Sequence, residues 1–122
     1  MEGKSYLDLR GQLAERDRSL REKVMSLEEA PALVKDGDSV GVGGSTLSRT
    51  PMAMIWALIR ANRKHLSVSR SIVSSDGDLL FASGACDKIV TSWFSQGIVW
   101  GISKVMRHYV ENGLARFDEW SH

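Results

Sequence analysis

Strands alternating with helices predict an α/β fold, with an open, mostly parallel sheet and flanking helices. Three observations carry this. A short run, Ser39–Val42, is bounded by Gly37 before it and Gly43-Gly44 after it. Two further short runs, Leu66–Val68 and Lys88–Trp93, have strand character. Helix-period stripes of apolar residues lie between and after them. About three strands is thin against the usual five or six. No packed element is expected within Leu114–His122, so the sheet is expected to be incomplete and the chain to be part of a larger fold.

Residues 1–24 read as an amphipathic helix preceding an α/β domain over residues 25–122. Tyr6, Leu9, Leu13, Leu20 and Val24 share one helical face, and charged residues cover the rest. Two readings stand: a helix packed on its own domain, or an arm that docks on a partner. Ser26 and Glu29 form a capping-box pattern that opens a second helix, with Lys35 in its last turn and Gly37 just past it. Pro31 lies inside that helix and predicts a kink or a tightened first turn. After the strand Ser39–Val42 comes a polar loop, Ser45–Thr50. Thr50 is placed to cap the next helix, and Pro51 suits its first position. Met52, Ile55, Trp56 and Ile59 form the apolar stripe of that helix.

Beyond Leu66–Val68, Ser74-Ser75-Asp76-Gly77 has turn chemistry and reads as a loop. A short helical turn over Asp78–Ser83 ends at Gly84. Ile89 and Val90 are expected to be buried in the strand Lys88–Trp93. A helix around Ile102–Glu111 carries Val105, Met106, Tyr109 and Val110, and Asn112-Gly113 ends it.

Bulk properties exclude several function classes. The 122 residues carry a formal net charge of +1, which leaves no electrostatic footprint for nucleic acid or an anionic membrane. One cysteine, Cys86, forbids an intramolecular disulfide. The charged opening is not a signal peptide, and no stretch approaches the roughly 18 apolar residues of a membrane helix. A cytoplasmic protein is the resulting expectation. His65, His108 and His122 lack ligand spacing, and Asp76 and Asp78 lack the acidic partners of a calcium loop, so no metal is expected. Cys86 reads as a small buried hydrophobe. Trp93, Phe94 and Trp100, with Gly97 and Gly101 between them, suit a core or an interface more than a ligand contact.

The stretch that carries chemistry is Asp36–Pro51: helix stop, strand, glycine turn, loop, helix start. Ligands of open α/β sheets bind beyond the carboxyl ends of the strands. There Gly43 and Gly44 would let a ligand approach the backbone, and free N–H groups could hold an anion or oxyanion. Arg49 adds a charge suited to a carboxylate or phosphate. Many βα turns need glycine only to reverse the chain, and on the residues alone both readings stay open. The run Gly41-Val42-Gly43-Gly44-Ser45-Thr46 lacks the third glycine of a dinucleotide fingerprint, and there is no phosphate-loop lysine.

Asp36-Gly37, Val40, Val42, Gly43-Gly44 and Pro51 resemble, without a gap, the signature of family I coenzyme A-transferase alpha subunits. Gly41 stands in place of an apolar residue, Ser45 in place of a phenylalanine, and Arg49 in place of a glycine. The arginine before this proline is similar to the glutaconate CoA-transferase branch. The resemblance runs from about Lys23 to Ser121 and takes in Asp78-Leu79-Leu80, Gly84, Ile89-Val90-Thr91 and Asp118-Glu119-Trp120-Ser121.

The resemblance implies the amino-terminal part of an alpha subunit, on the scaffold shared with sugar-phosphate isomerases. It implies transfer of coenzyme A between carboxylic acids, with a coenzyme A thioester as substrate and no bound cofactor. The nucleophilic glutamate is expected on a partner beta subunit, so no catalytic residue is assigned here and the isolated chain is not expected to turn over. Gly43, Gly44 and Ser45 are the implied oxyanion and acyl-pocket residues, and Arg49 the reader of a dicarboxylic acyl group. Thr46, Ser48, Ser74, Ser75 and Asp76 form a second tier. A hydrolase or decarboxylase on the same scaffold, a phosphate- or acyl-binding module using the hydroxyls of Ser45, Thr46 and Ser48, and an inactive fragment remain alternatives.

Overall fold

A computed structural model describes residues 5–121. Its centre is a four-stranded, all-parallel sheet of β1 (Ser39–Gly41), β2 (Leu66–Ser69), β4 (Cys86–Thr91) and β6 (Arg116–Glu119), in that spatial order. A helix connects each strand of this sheet to the next: α2 (Met52–Arg60), α3 (Ser75–Ala82) and α4 (Lys104–Glu111). Two short strands, β3 (Ile72–Val73) and β5 (Trp93–Phe94), pair in parallel just beyond β2 and β4. The predicted mostly parallel α/β sheet with flanking helices is therefore present.

The register explains which face is packed. Val40, Val68, Ile89 and Phe117 lie in one row across the sheet. They join the core with Ile55 and Leu58 of α2, Leu80 and Phe81 of α3, and Val105, Met106 and Tyr109 of α4. Burying each large apolar side chain of this set stabilises the fold by about 1.5–3 kcal/mol. The neighbouring rows, Ser39–Ser67–Lys88–Arg116 and Gly41–Ser69–Val90–Asp118, point the other way. Apart from Val90 they are small or polar, and Lys88 Nζ meets Asp118 at 2.6 Å across them.

Several expectations are corrected. Leu114–His122 was expected to hold no packed element, yet β6 pairs with β4 there, so the sheet has four strands rather than three. Arg-Phe-Asp-Glu has weak strand character, and the pairing comes from the open edge of β4. Helix α3 begins at Ser75, not at Asp78. Gly77 permits this, because α3 presses so closely on β3, β4 and β5 that a Cβ at this position would meet Val73 Cγ1 at 2.3 Å and Phe94 Cζ at 2.6 Å. Of the expected α2 stripe Ile55 is buried, but Trp56 is 44% exposed, and Ala57 and Leu58 are buried in its place.

Residues 1–4 of the helix expected over residues 1–24 lie outside the described residues, and within the rest the helix is much shorter than expected. It spans α1 (Tyr6–Ala14), with Ser5 and Asp8 forming a capping box. Beyond it, side chains bond the backbone in non-helical ways. Asp17 accepts from the Ser19 N–H, and Glu22 from the N–H groups of Lys23 and Val24. No residue of α1 is buried, and Tyr6, Leu9, Leu13, Leu20 and Val24 are all exposed, so the surface-packed helix is not what forms. The Ser26–Glu29 capping box is present, but Pro31 tightens the segment to a single 3-10 turn, Ala30–Leu33. No helix among the described residues is long and apolar enough to cross a membrane.

Candidate functional site

A crevice of about 510 Å³ opens at the carboxyl ends of the parallel strands. Gly41 ends β1 and leads into Val42 and Gly43. Ser69 ends β2 and leads into Arg70 and Ser71. Val90 and Thr91 end β4, and Trp120 and Ser121 follow β6. This is where open parallel sheets bind ligands, because the strand ends leave backbone groups unpaired and the loops diverge.

The loop from Gly43 to Thr50 borders the crevice at Gly43. It continues to a smaller apolar cavity of about 290 Å³ that Thr46 lines with Ile72, Trp93, Gly97 and Ile98. Its shape is unusual. Gly44 has φ +115°, Thr46 φ +45° and Arg49 φ +55°. Within it the Ser45 N–H donates to Ser48 O at 3.1 Å, and Ser48 Oγ donates to Ser45 O at 3.1 Å. The Ser45 N–H is thus committed to the loop, and only its exposed hydroxyl is open to a ligand. The N–H groups of Gly43 and Gly44 donate to no protein acceptor among the described residues. Arg49 is exposed and forms no ion pair among them.

Thr50 does not cap α2, which starts after Pro51 without a side-chain cap. Its hydroxyl turns inward and donates to Thr46 O at 2.9 Å. The second-tier residues divide. Ser75 is exposed and donates to Gln96 Oε1 at 3.0 Å. Ser74 and Asp76 are each 1% exposed, and the Asp76 carboxylate pairs with Arg70 Nη1 at 2.5 Å. These two support the site from inside and do not line the crevice.

Arg70, Ser69, Ser71, Thr91, Ser92 and Trp120 were missed by the sequence reading. A signal existed for most of them. Ser69-Arg70-Ser71 and Thr91-Ser92 follow directly on strands, the positions where such sheets place ligands. Cys86 lies in the core, away from the crevice. Burial pushes its thiol up from 9.0 to about 11, against the lowering effect of its bonds to the Lys88 and Val68 backbone.

The sequence model of the family described as Coenzyme A transferase matches residues 24–122. An uncharacterized protein of Archaeoglobus fulgidus is 32% identical over 108 residues, covering 87% of this chain and 24% of that protein. The A subunit of glutaconate CoA-transferase from Acidaminococcus fermentans is 27% identical over 100 residues, covering 81% of this chain and 31% of the relative. The crystal structure of glutaconate coenzyme A-transferase from Acidaminococcus fermentans superposes with a TM-score of 0.74 at 27% identity, over 82% of this chain and 32% of that one. The crystal structure of a variant of the decarboxylase AibA/AibB superposes with a TM-score of 0.69 at 25% identity, over 80% of this chain and 38% of that one. The chain thus spans less than a third of the length of these two sequence relatives.

Proposed function

Since the chain belongs to the coenzyme A transferase family, we propose that it supplies the alpha-subunit side of an acyl site in a heteromer that moves coenzyme A between carboxylic acids. The observation that carries this reading is the uncommitted N–H of Gly43, which lines the strand-end crevice, with the uncommitted N–H of Gly44 next to it in the chain. In acyl transfer the thioester carbonyl oxygen gains negative charge as a nucleophile adds. Backbone donors held ready for that charge lower the barrier without reorganising. The Ser45 hydroxyl is a third donor on the same loop.

The nucleophile is a glutamate carboxylate of a beta subunit, and the substrates are an acyl-CoA thioester and a free carboxylic acid. Arg49, exposed and without an ion pair among the described residues, reads the distal carboxylate of a dicarboxylic acyl group through its planar fork. The likeness to one subunit of glutaconate CoA-transferase supports both the partner and the dicarboxylic preference. The likeness to the AibA/AibB decarboxylase supports a second reading, decarboxylation of an acyl-CoA on the same scaffold. Co-purification with a partner subunit, followed by acyl-CoA-to-acid exchange, tests the first. Release of carbon dioxide without exchange would establish the second in its place.

A further inference from the structure

Arg70 is 5% exposed, and one guanidinium joins three segments of the chain. Nη1 donates to Asp76 Oδ2 at 2.5 Å at the start of α3. Nη2 donates to Thr46 O at 3.0 Å and to Thr50 Oγ1 at 3.0 Å, inside the glycine loop. Asp76 is itself fixed, because its Oδ1 accepts from the Ser74 N–H at 3.0 Å. Arg70 Nε is buried without a partner among the described residues.

The loop needs such outside support. Thr46 and Arg49 hold the left-handed backbone that side chains other than glycine adopt at a cost, and this persists only when the surroundings over-determine it. A buried ion pair is a weak source of net stability, since both charges lose water. An orphaned Nε–H weakens it further. The distinctive consequence of the pair is geometric: it ties Thr46 and Thr50 to the end of β2.

We propose that Arg70, held by Asp76, is a positioning residue that keeps the Gly44–Thr50 loop in its strained shape and so keeps Gly43 at the crevice with Gly44 next to it. Its role in acyl transfer rests on the function proposed above, whereas the order of the loop does not.

The test is amide hydrogen exchange on the full chain. It is read at Ser45 and Met52, whose N–H groups bond Ser48 O and Thr50 O, and at Val68 and Ile89 in the sheet. The paired substitution Arg70→Met with Asp76→Leu leaves no unpaired buried charge. It speeds exchange at Ser45 and Met52 by about tenfold or more while Val68 and Ile89 keep their rates. Arg70→Lys keeps a charge beside Asp76 but lacks the fork that bonds Thr46 O and Thr50 Oγ1, and gives a smaller, similarly confined effect of about threefold; it serves if the paired variant does not fold. Unchanged Ser45 and Met52 overturn the proposal, as does equal acceleration at all four amides.

In the complex with the partner subunit, the paired variant lowers kcat about tenfold with KM for acyl-CoA nearly unchanged, and Arg70→Lys with Asp76 intact recovers part of it. A loss confined to KM overturns the catalytic part. A wild-type complex without exchange sinks the transferase reading alone, and the amide rates still decide the loop.

Discussion

A Cβ at Gly44 would lie 2.2 Å from the carbonyl oxygen of Arg49, a backbone atom that cannot move aside cheaply. Gly44 also has φ +115°, where a side chain is strained in any space. Gly44→Ala therefore reshapes the loop and destabilises the protein by about 1–3 kcal/mol. At Gly43 an added Cβ meets nothing within 4 Å. Gly43→Ala accordingly changes stability by less than about 0.5 kcal/mol. Thermal denaturation of the two variants side by side measures the contrast.

Gly77 makes the strongest purely structural prediction. Its added Cβ would meet Val73 Cγ1 at 2.3 Å, Phe94 Cζ at 2.6 Å and Ile89 Cδ1 at 3.1 Å, all inside the core. Gly77→Ala forces α3 away from the sheet and costs about 1–3 kcal/mol, in spite of alanine's better helix propensity. The expected reading is a melting temperature lower by roughly 5–15 °C.

Cys86 gives a pH dependence. Its folded pKa of about 11 lies above the ordinary 9.0, chiefly through burial. The native state therefore holds the thiol proton more tightly than the unfolded chain does. The contribution is complete below the ordinary value and is lost as pH rises through the folded one. Wild type should lose more stability than Cys86→Ala between about pH 9 and 11. Near pH 8, a thiol reagent should label the native protein at least about a hundredfold more slowly than the unfolded chain.

The opening arm should be dispensable for folding. Helix α1 buries none of its residues, and Leu20 and Val24 are almost wholly exposed. Removing the residues before Val24 should shift the melting temperature by no more than about 2 °C, because none of the described residues among them is buried. A larger fall would mean that the arm packs on the domain.

What the sequence made legible follows from local chemistry. The Gly37 turn, the strand from Ser39 and the Ser26–Glu29 capping box are written in short-range residue choices, and each is present. Pro31 announced a tightened turn, and a 3-10 turn formed. Illegible features depend on distant partners. Strand β6 exists because β4 offers an open edge, and α3 starts early because Gly77 meets side chains from three strands. The apolar spacing of the arm suggested a long helix, but no packed surface supports it, and side chains such as Asp17 and Glu22 took the backbone bonds. The candidate loop was readable as a motif, while Ser45's committed N–H and Arg70's inward fork appear only once the chain is folded.

In the proposed function, Gly43, Gly44 and Arg49 form the acyl-reading side of a coenzyme A transferase. Acyl-CoA-to-acid exchange by the chain purified with the proposed partner subunit tests this, comparing dicarboxylic with monocarboxylic acids of similar length in wild type and Arg49→Ala. Wild type is expected to exchange, with a preference for dicarboxylic acids. Arg49→Ala lowers kcat/KM for dicarboxylic acids about tenfold to a hundredfold and leaves monocarboxylic acids nearly unchanged. No exchange with either acid, or a dicarboxylic preference that survives Arg49→Ala, would contradict it.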